Sequence, residues 1–175
     1  MENQLFPIGV RRDGSYYTRV EWASHTVEDP CIWVLNVIDD DVERNGGTWG
    51  ANTMGPADVV LGFFGESQTV GKVNLFKNVG KDISILEELA KTINIYVSNT
   101  DEPRNLKTED DKIDSVKWEK VATVTTEKSE GWQEVVLDKP VAAKYVRVEL
   151  VENHGTAPDL PWTEINEIKI FPPAK

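Results

Sequence analysis

Lys144-Tyr145-Val146-Arg147-Val148-Glu149-Leu150 places Val146, Val148 and Leu150 on one side of an extended chain, because residues two apart share a face. Such a stretch reads as a half-buried strand. Outward from it, the same alternation recurs in residues 17–22, 69–76, 92–98, 118–124, 132–137 and 164–171. With residues 58–63 this makes about eight strands joined by turn-rich loops, so the predicted fold is all-β, an antiparallel sandwich or jelly roll. One segment breaks the pattern: residues 82–91 carry a capping candidate at Asp82 or Ser84, and Ile85, Leu86 and Leu89 fall at helical spacing. That spacing predicts one short helix near 83–91. Residues 101–115, acidic and poor in apolar side chains, read as an exposed loop.

The chain has 175 residues, with 19 Lys+Arg against 30 Asp+Glu and a net charge of −11. That balance disfavours nucleic acid and anionic membrane as partners, since both need a basic face. No apolar run approaches the ~18 residues that span a bilayer, and the polar start Met1-Glu2-Asn3-Gln4 shows no secretory signal. Length and composition suit one domain, residues 16–175, preceded by an N-terminal extension, residues 1–15. Cys31 is the only cysteine, which rules out an intramolecular disulfide or a thiolate-built zinc site within this sequence. Gly-rich phosphate loops, His-Glu-x-x-His and Gly-x-Ser-x-Gly are all missing, so the expectation is a binding protein rather than an enzyme. Six Trp beside only two His stand out. Indole rings suit the apolar C–H face of a sugar, and an acidic, indole-rich chain points toward carbohydrate.

Several short pieces, in order, resemble the discoidin family, also called coagulation factor V/VIII type C domains, and within it the bacterial family 32 carbohydrate-binding modules. They are Ala23-Ser24; Val37-Ile38-Asp39-Asp40-Asp41 followed by Gly47-Thr48-Trp49; Val60-Leu61-Gly62; Ile95-Tyr96-Val97-Ser98 with Trp118; Ala143 to Val148; and Asn166 to Phe171. The resemblance spans nearly the whole chain and implies an eight-stranded jelly roll with a galactose-binding-like architecture. It also implies a structural Ca²⁺ between the loop 36–48 and the last strand. The ligands implied are the Asn36 carbonyl, the Asp39 carboxylate, the Asp41 position, Thr48, the Asn166 carbonyl and the Glu167 carboxylate. A hard cation wants such oxygen donors. This loop departs from the family pattern in carrying the extra residues 42–46, with Gly47 rather than Thr48 two residues before Trp49.

The same resemblance puts a sugar site on loops. Trp49 and Trp118 match core positions, Trp132 is expected to be core, and the role of Trp22 is open. Trp33 and Trp162 lie on loops that such modules use for sugar contacts, and His25 and His154 occupy the same loops. Lys77 and Asn78 stand where the family favours Arg and Asn, and Lys lacks the planar fork of Arg, so galactose selectivity does not transfer directly. The expected ligand is a terminal galactose-like or N-acetylhexosamine sugar. The expected setting is a monomeric module of a larger secreted or cell-surface bacterial glycan-degrading enzyme. An adhesion or protein-binding discoidin-like domain and a small jelly-roll glycosidase or lyase are the competing readings.

Overall fold

The computed structural model describes residues 9–42, 47–80, 83–156 and 161–175. Its strands are β1 (Arg19–Ala23), β2 (Trp49–Ala51), β3 (Ala57–Gly62), β4 (Gln68–Lys77), β5 (Ala90–Ser98), β6 (Glu119–Thr125), β7 (Gly131–Ala143), β8 (Tyr145–Asn153), β9 (Thr163–Ile165) and β10 (Glu167–Phe171). Five of them form one antiparallel sheet in the order β1-β3-β8-β5-β6, and three form another in the order β10-β4-β7. The short pair β2-β9 makes a third sheet. Strand alternation builds the core: Val59, Leu61, Ile93, Ile95, Val146, Val148 and Leu150 from the first sheet meet Val73, Leu75, Val135, Ile168 and Ile170 from the second. The all-β sandwich expected from the sequence is present. No described helix is long and apolar enough to cross a membrane.

The sequence reading and the structure differ at several places. The stretch 164–171 is divided at Asn166, whose N–H donates to the Phe76 carbonyl, so that β9 pairs with β2 and β10 pairs with β4. The predicted helix near 83–91 is a 3-10 turn, Ile83–Glu88, which yields to β5 at Ala90. Pairing of Ala90 with Asn153 starts at once and leaves no length for successive α-helical turns; such short connectors are ordinary sites of 3-10 geometry. Asp82, one of the two capping candidates, lies outside the described residues. From Gly9 onward the N-terminal extension is docked on the sandwich: Arg11 Nη2 donates to the Ile38 carbonyl at 3.1 Å, and Asp13 pairs with Lys169 at 2.6 Å.

The acidic loop after β5 is more than an exposed connector. Two 3-10 turns, Glu102–Asn105 and Ile113–Ser115, fold it over the outer face of the five-stranded sheet. Leu106 and Val116 are buried there with Trp22, Val60 and Tyr145. Arg147 fastens the cover: its guanidinium pairs with Asp58 at 2.7 Å and Asp114 at 3.1 Å and lies 4.5 Å from the centre of the Tyr96 ring. Burial raises the Asp58 carboxyl above its ordinary pKa, and the Arg147 charge opposes that rise.

Candidate functional site

Two loops flank the 3-10 turn Val34–Ile38, and each holds one group of the residues singled out from the sequence. The first loop, 24–33, is tied down by its backbone. The Trp49 indole N–H donates to the His25 carbonyl at 3.1 Å, the Thr48 N–H to Cys31 and the Gly50 N–H to Ile32. Trp49 is thereby a fully buried post for the loop, as expected of a core residue. The side chains of the loop are left for solvent: Trp33 is 44% exposed, and it closes a shallow cleft of about 440 Å³ with Thr26, Glu28 and Pro30. Exposed indole beside a concavity is the arrangement that sugar stacking requires.

His25 is half-buried, with Nδ1 2.7 Å from the Ser24 hydroxyl. Burial lowers its pKa, and nearby Glu109 works in the opposite direction. Trp162 is half-buried over β2 on the same side as Ile32, where a Cβ on Gly50 would stand 3.4 Å from Trp162 Cε3 and 3.2 Å from Ile32. A glycine at position 50 is what allows these two loops to approach the strand. His25, through its carbonyl, and Trp162 thus both meet β2, while Trp33 lines the cleft with Thr26, Glu28 and Pro30.

The other predicted sugar contacts do not join them. Lys77, at the end of β4, is only 3% exposed, and its amine donates to the Thr126 hydroxyl at 2.7 Å and the Glu127 carbonyl at 2.5 Å. Burial pulls its pKa down to about 8, with Glu127 acting against the fall. His154 lies near the same hydroxyl, Nε2 3.4 Å from Thr126 Oγ1, and burial followed by the Lys77 charge lowers its pKa. Asn78 is an internal brace: its side-chain amide donates to Val42, and its N–H donates to Asn166 Oδ1. Lys77 is an interior pin in this fold, because it shares the inward parity of Val73 and Leu75.

The remaining tryptophans separate in the same way. Trp22 is buried beneath the acidic loop, with Nε1 donating to the Thr108 carbonyl at 2.7 Å. Trp118 is half-buried against that cluster and donates to Ile113. Trp132, expected to be core, is instead 45% exposed on the outer face of the three-stranded sheet, where it packs on Phe76 with ring centres 4.8 Å apart.

The second loop, from Asn36 to Thr48, closes on the chain's last strands. The Thr48 hydroxyl donates to the Ile165 carbonyl, Asn166 Nδ2 to the Gly47 carbonyl and the Asp40 N–H to Glu167 Oε2. The Asn36 amide is spent on the Pro30 and Thr48 carbonyls, and the Asp41 N–H donates to Asp39 Oδ1. Glu167 is fully buried, and its Oε1 has no hydrogen-bond partner. Burial first, and the Asp39 charge second, push its pKa up to about 8. An unpartnered buried carboxylate oxygen beside a second carboxylate fits the donor chemistry of a hard cation. No group of three or more His, Cys, Asp or Glu side chains that could hold a metal occurs among the described residues, so main-chain carbonyls would have to complete any such shell.

Sequence reasoning missed Thr26, Glu28 and Pro30 as cleft walls, and it missed Glu109. The Glu109 carboxylate accepts from both the N–H and the hydroxyl of Thr26, bringing the acidic loop to the lip of the cleft. Nothing local in the sequence signals a contact between residues 83 positions apart.

No protein-family model matches the chain, and no curated protein matches it by sequence. Solved structures do match by shape. The CBM32-5 module of Clostridium perfringens, in complex with GalNAc-β-1,3-galactose, superimposes with a TM-score of 0.65 at 13% identity over 88% of this chain and 94% of that one. The family 32 carbohydrate-binding module of Streptococcus pneumoniae EndoD gives 0.66 at 14% identity, covering 89% and 95%. Chitosan-binding module 1 of a Paenibacillus sp. IK-5 chitosanase/glucanase gives 0.59 at 21% identity, covering 90% and 95%. The chain is therefore folded as the galactose-binding-like β-sandwich on which family 32 carbohydrate-binding modules are built.

Proposed function

We propose that this protein is a non-catalytic carbohydrate-binding module that holds a terminal sugar of a glycan in the cleft beside Trp33. The observation that carries this reading is the exposed Trp33 indole over a concavity, on a loop whose backbone is anchored to β2. A pyranose ring laid on that indole removes apolar area from water, and polar groups at the cleft rim, Thr26 and Glu28, can meet its hydroxyls. Solved neighbours bound to GalNAc-β-1,3-galactose, galactose and 4,5-unsaturated mannuronic acid support a sugar as the ligand class. A hexosamine is the better candidate than galactose, since the contacts implied for galactose are dispersed: Lys77 faces the interior and Asn78 braces Val42.

The reading includes a structural Ca²⁺. Glu167 and Asp39 would supply carboxylate oxygens and the loop 36–48 with Asn166 would supply carbonyls; the ion would take the place of the proton that burial favours on Glu167 and bind its ionised form. It also includes a place in a larger secreted or cell-surface glycan-degrading enzyme. A shallow site binds weakly alone and gains by tethering, which raises effective concentration at the substrate. A glycan array read by intrinsic tryptophan fluorescence tests the proposal, with Trp33→Ala as control. Binding of a glycan that Trp33→Ala abolishes supports it; an array on which no glycan binds defeats it.

A further inference from the structure

Resting on the reading of Trp33 as a sugar platform, we infer that the cleft selects a cationic amino sugar, one whose amino group is free and protonated rather than acetylated. Its charge carries the argument. The cleft is lined by Thr26, Glu28, Pro30 and Trp33, and Glu28 is the only charged residue among them. At its lip stands Glu109, held there by Thr26. Asp29, between Glu28 and Pro30, has one carboxylate oxygen occupied by the Cys31 N–H, and among the described residues no cation pairs with Glu28.

The cations that could offset these acids are placed elsewhere. A second cleft, of about 230 Å³, adjoins the first at Thr26, and Lys107 is the one cation lining either. Arg19 is committed to Glu21 by two hydrogen bonds, at 2.7 and 3.0 Å. Burial lowers the pKa of His25, which works against a positive charge beside Glu109. An acetamido group would meet the Glu28 carboxylate as a neutral donor, whereas an ammonium meets it as a charge-assisted one, and such bonds are roughly twice as strong. The same ammonium is attracted by the face of the Trp33 ring. The net charge of −11 on the whole chain steers a cationic polymer toward the protein and a uronic acid polymer away from it.

The test titrates the whole chain calorimetrically with a glucosamine oligomer, with the same oligomer fully N-acetylated, and with a galactose-terminated disaccharide, all at mildly acidic pH. The free-amine oligomer should bind about tenfold more tightly than its acetylated counterpart, the margin of one charge-assisted hydrogen bond. That margin should shrink in Glu28→Gln, a change at an exposed position that leaves folding intact. It should also shrink between about 0.1 and about 1 M salt, over which the Debye length falls from about 10 to about 3 Å. Trp33→Ala should weaken both oligomers alike. Equal affinity for the two oligomers, tighter binding of the galactoside, or a margin indifferent to Glu28→Gln overturns the inference while sugar binding at Trp33 stands. If none of the three sugars binds, both fall.

Discussion

The loops before and after the turn Val34–Ile38 are adjacent in sequence and opposite in character. The first keeps its backbone bonded to β2 and turns Trp33 and Glu28 outward; the second closes on Glu167, to which the Asp40 N–H donates, and one buried oxygen of Glu167 is left without a partner. An anchored loop that leaves the Trp33 ring and Glu28 in solvent is prepared for something arriving from solvent. A loop that closes over a buried acid with one unpartnered oxygen is prepared for something small held within. On the proposed reading, ligand recognition lies on one side of the turn and stabilisation on the other, and the contrast can be broken from either side.

The largest effect is expected at the closed loop. With Ca²⁺ at about a hundred times its dissociation constant, binding adds about 2.7 kcal/mol to stability. For a domain of this size that corresponds to roughly 5–10 °C in melting temperature. EDTA should therefore lower the melt of the wild-type chain by that amount and leave Glu167→Gln unchanged, as followed by circular dichroism; equal melts with and without EDTA would remove the ion from the account. Lys77 decides whether the interior of the fold extends as far as the end of β4. Its folded pKa of about 8 lies below the ordinary lysine value of 10.5, so the unfolded chain binds more protons between these values. Stability should consequently rise with pH across that window, by on the order of 2 kcal/mol, and Lys77→Met should flatten the rise in urea denaturation series. A flat wild-type profile would return Lys77 to solvent and to the list of sugar contacts.

At the open loop the expected change lies in binding, not stability. Trp33→Ala should weaken glycan affinity by at least about tenfold, or about 1.4 kcal/mol, with the melting temperature within experimental error of wild type. A large fall in the melt would instead make Trp33 part of the core. The smallest effect is predicted for Trp132→Ala, which loses the Phe76 ring contact, worth about 0.5–1.5 kcal/mol of stability. Glycan affinity should be unaffected, and a loss of binding would shift recognition from the loops to the outer sheet.

Much of this contrast is written in strand parity. Lys77 shares the inward parity of Val73 and Leu75, and Trp132 the outward parity of Glu134 and Val136, so both could have been sorted by alternation alone. For Lys77 the family pattern pointed the other way; for Trp132 the start of an alternating strand suggested core. Glu167 is different: its parity on β10 is outward, opposite Phe76, and it is buried only because the loop bearing Asp40 folds across it. Trp22 is the same kind of case, covered by a loop whose Thr108 carbonyl lies 86 residues along the chain.

The amino-acid sequence by itself determined the strands, their faces and hence the all-β sandwich, because the pleat that sends alternate side chains to opposite sides is a local property of the backbone. It also determined the acidity that any ligand must meet. Only the tertiary structure decided which outward-facing residues stay exposed: Trp33 and Trp132 remain in solvent, while Trp22 and Glu167 are roofed by distant segments. Exclusion of water depends on what folds over a surface, and that cover comes from parts of the chain too far away for any local pattern to register.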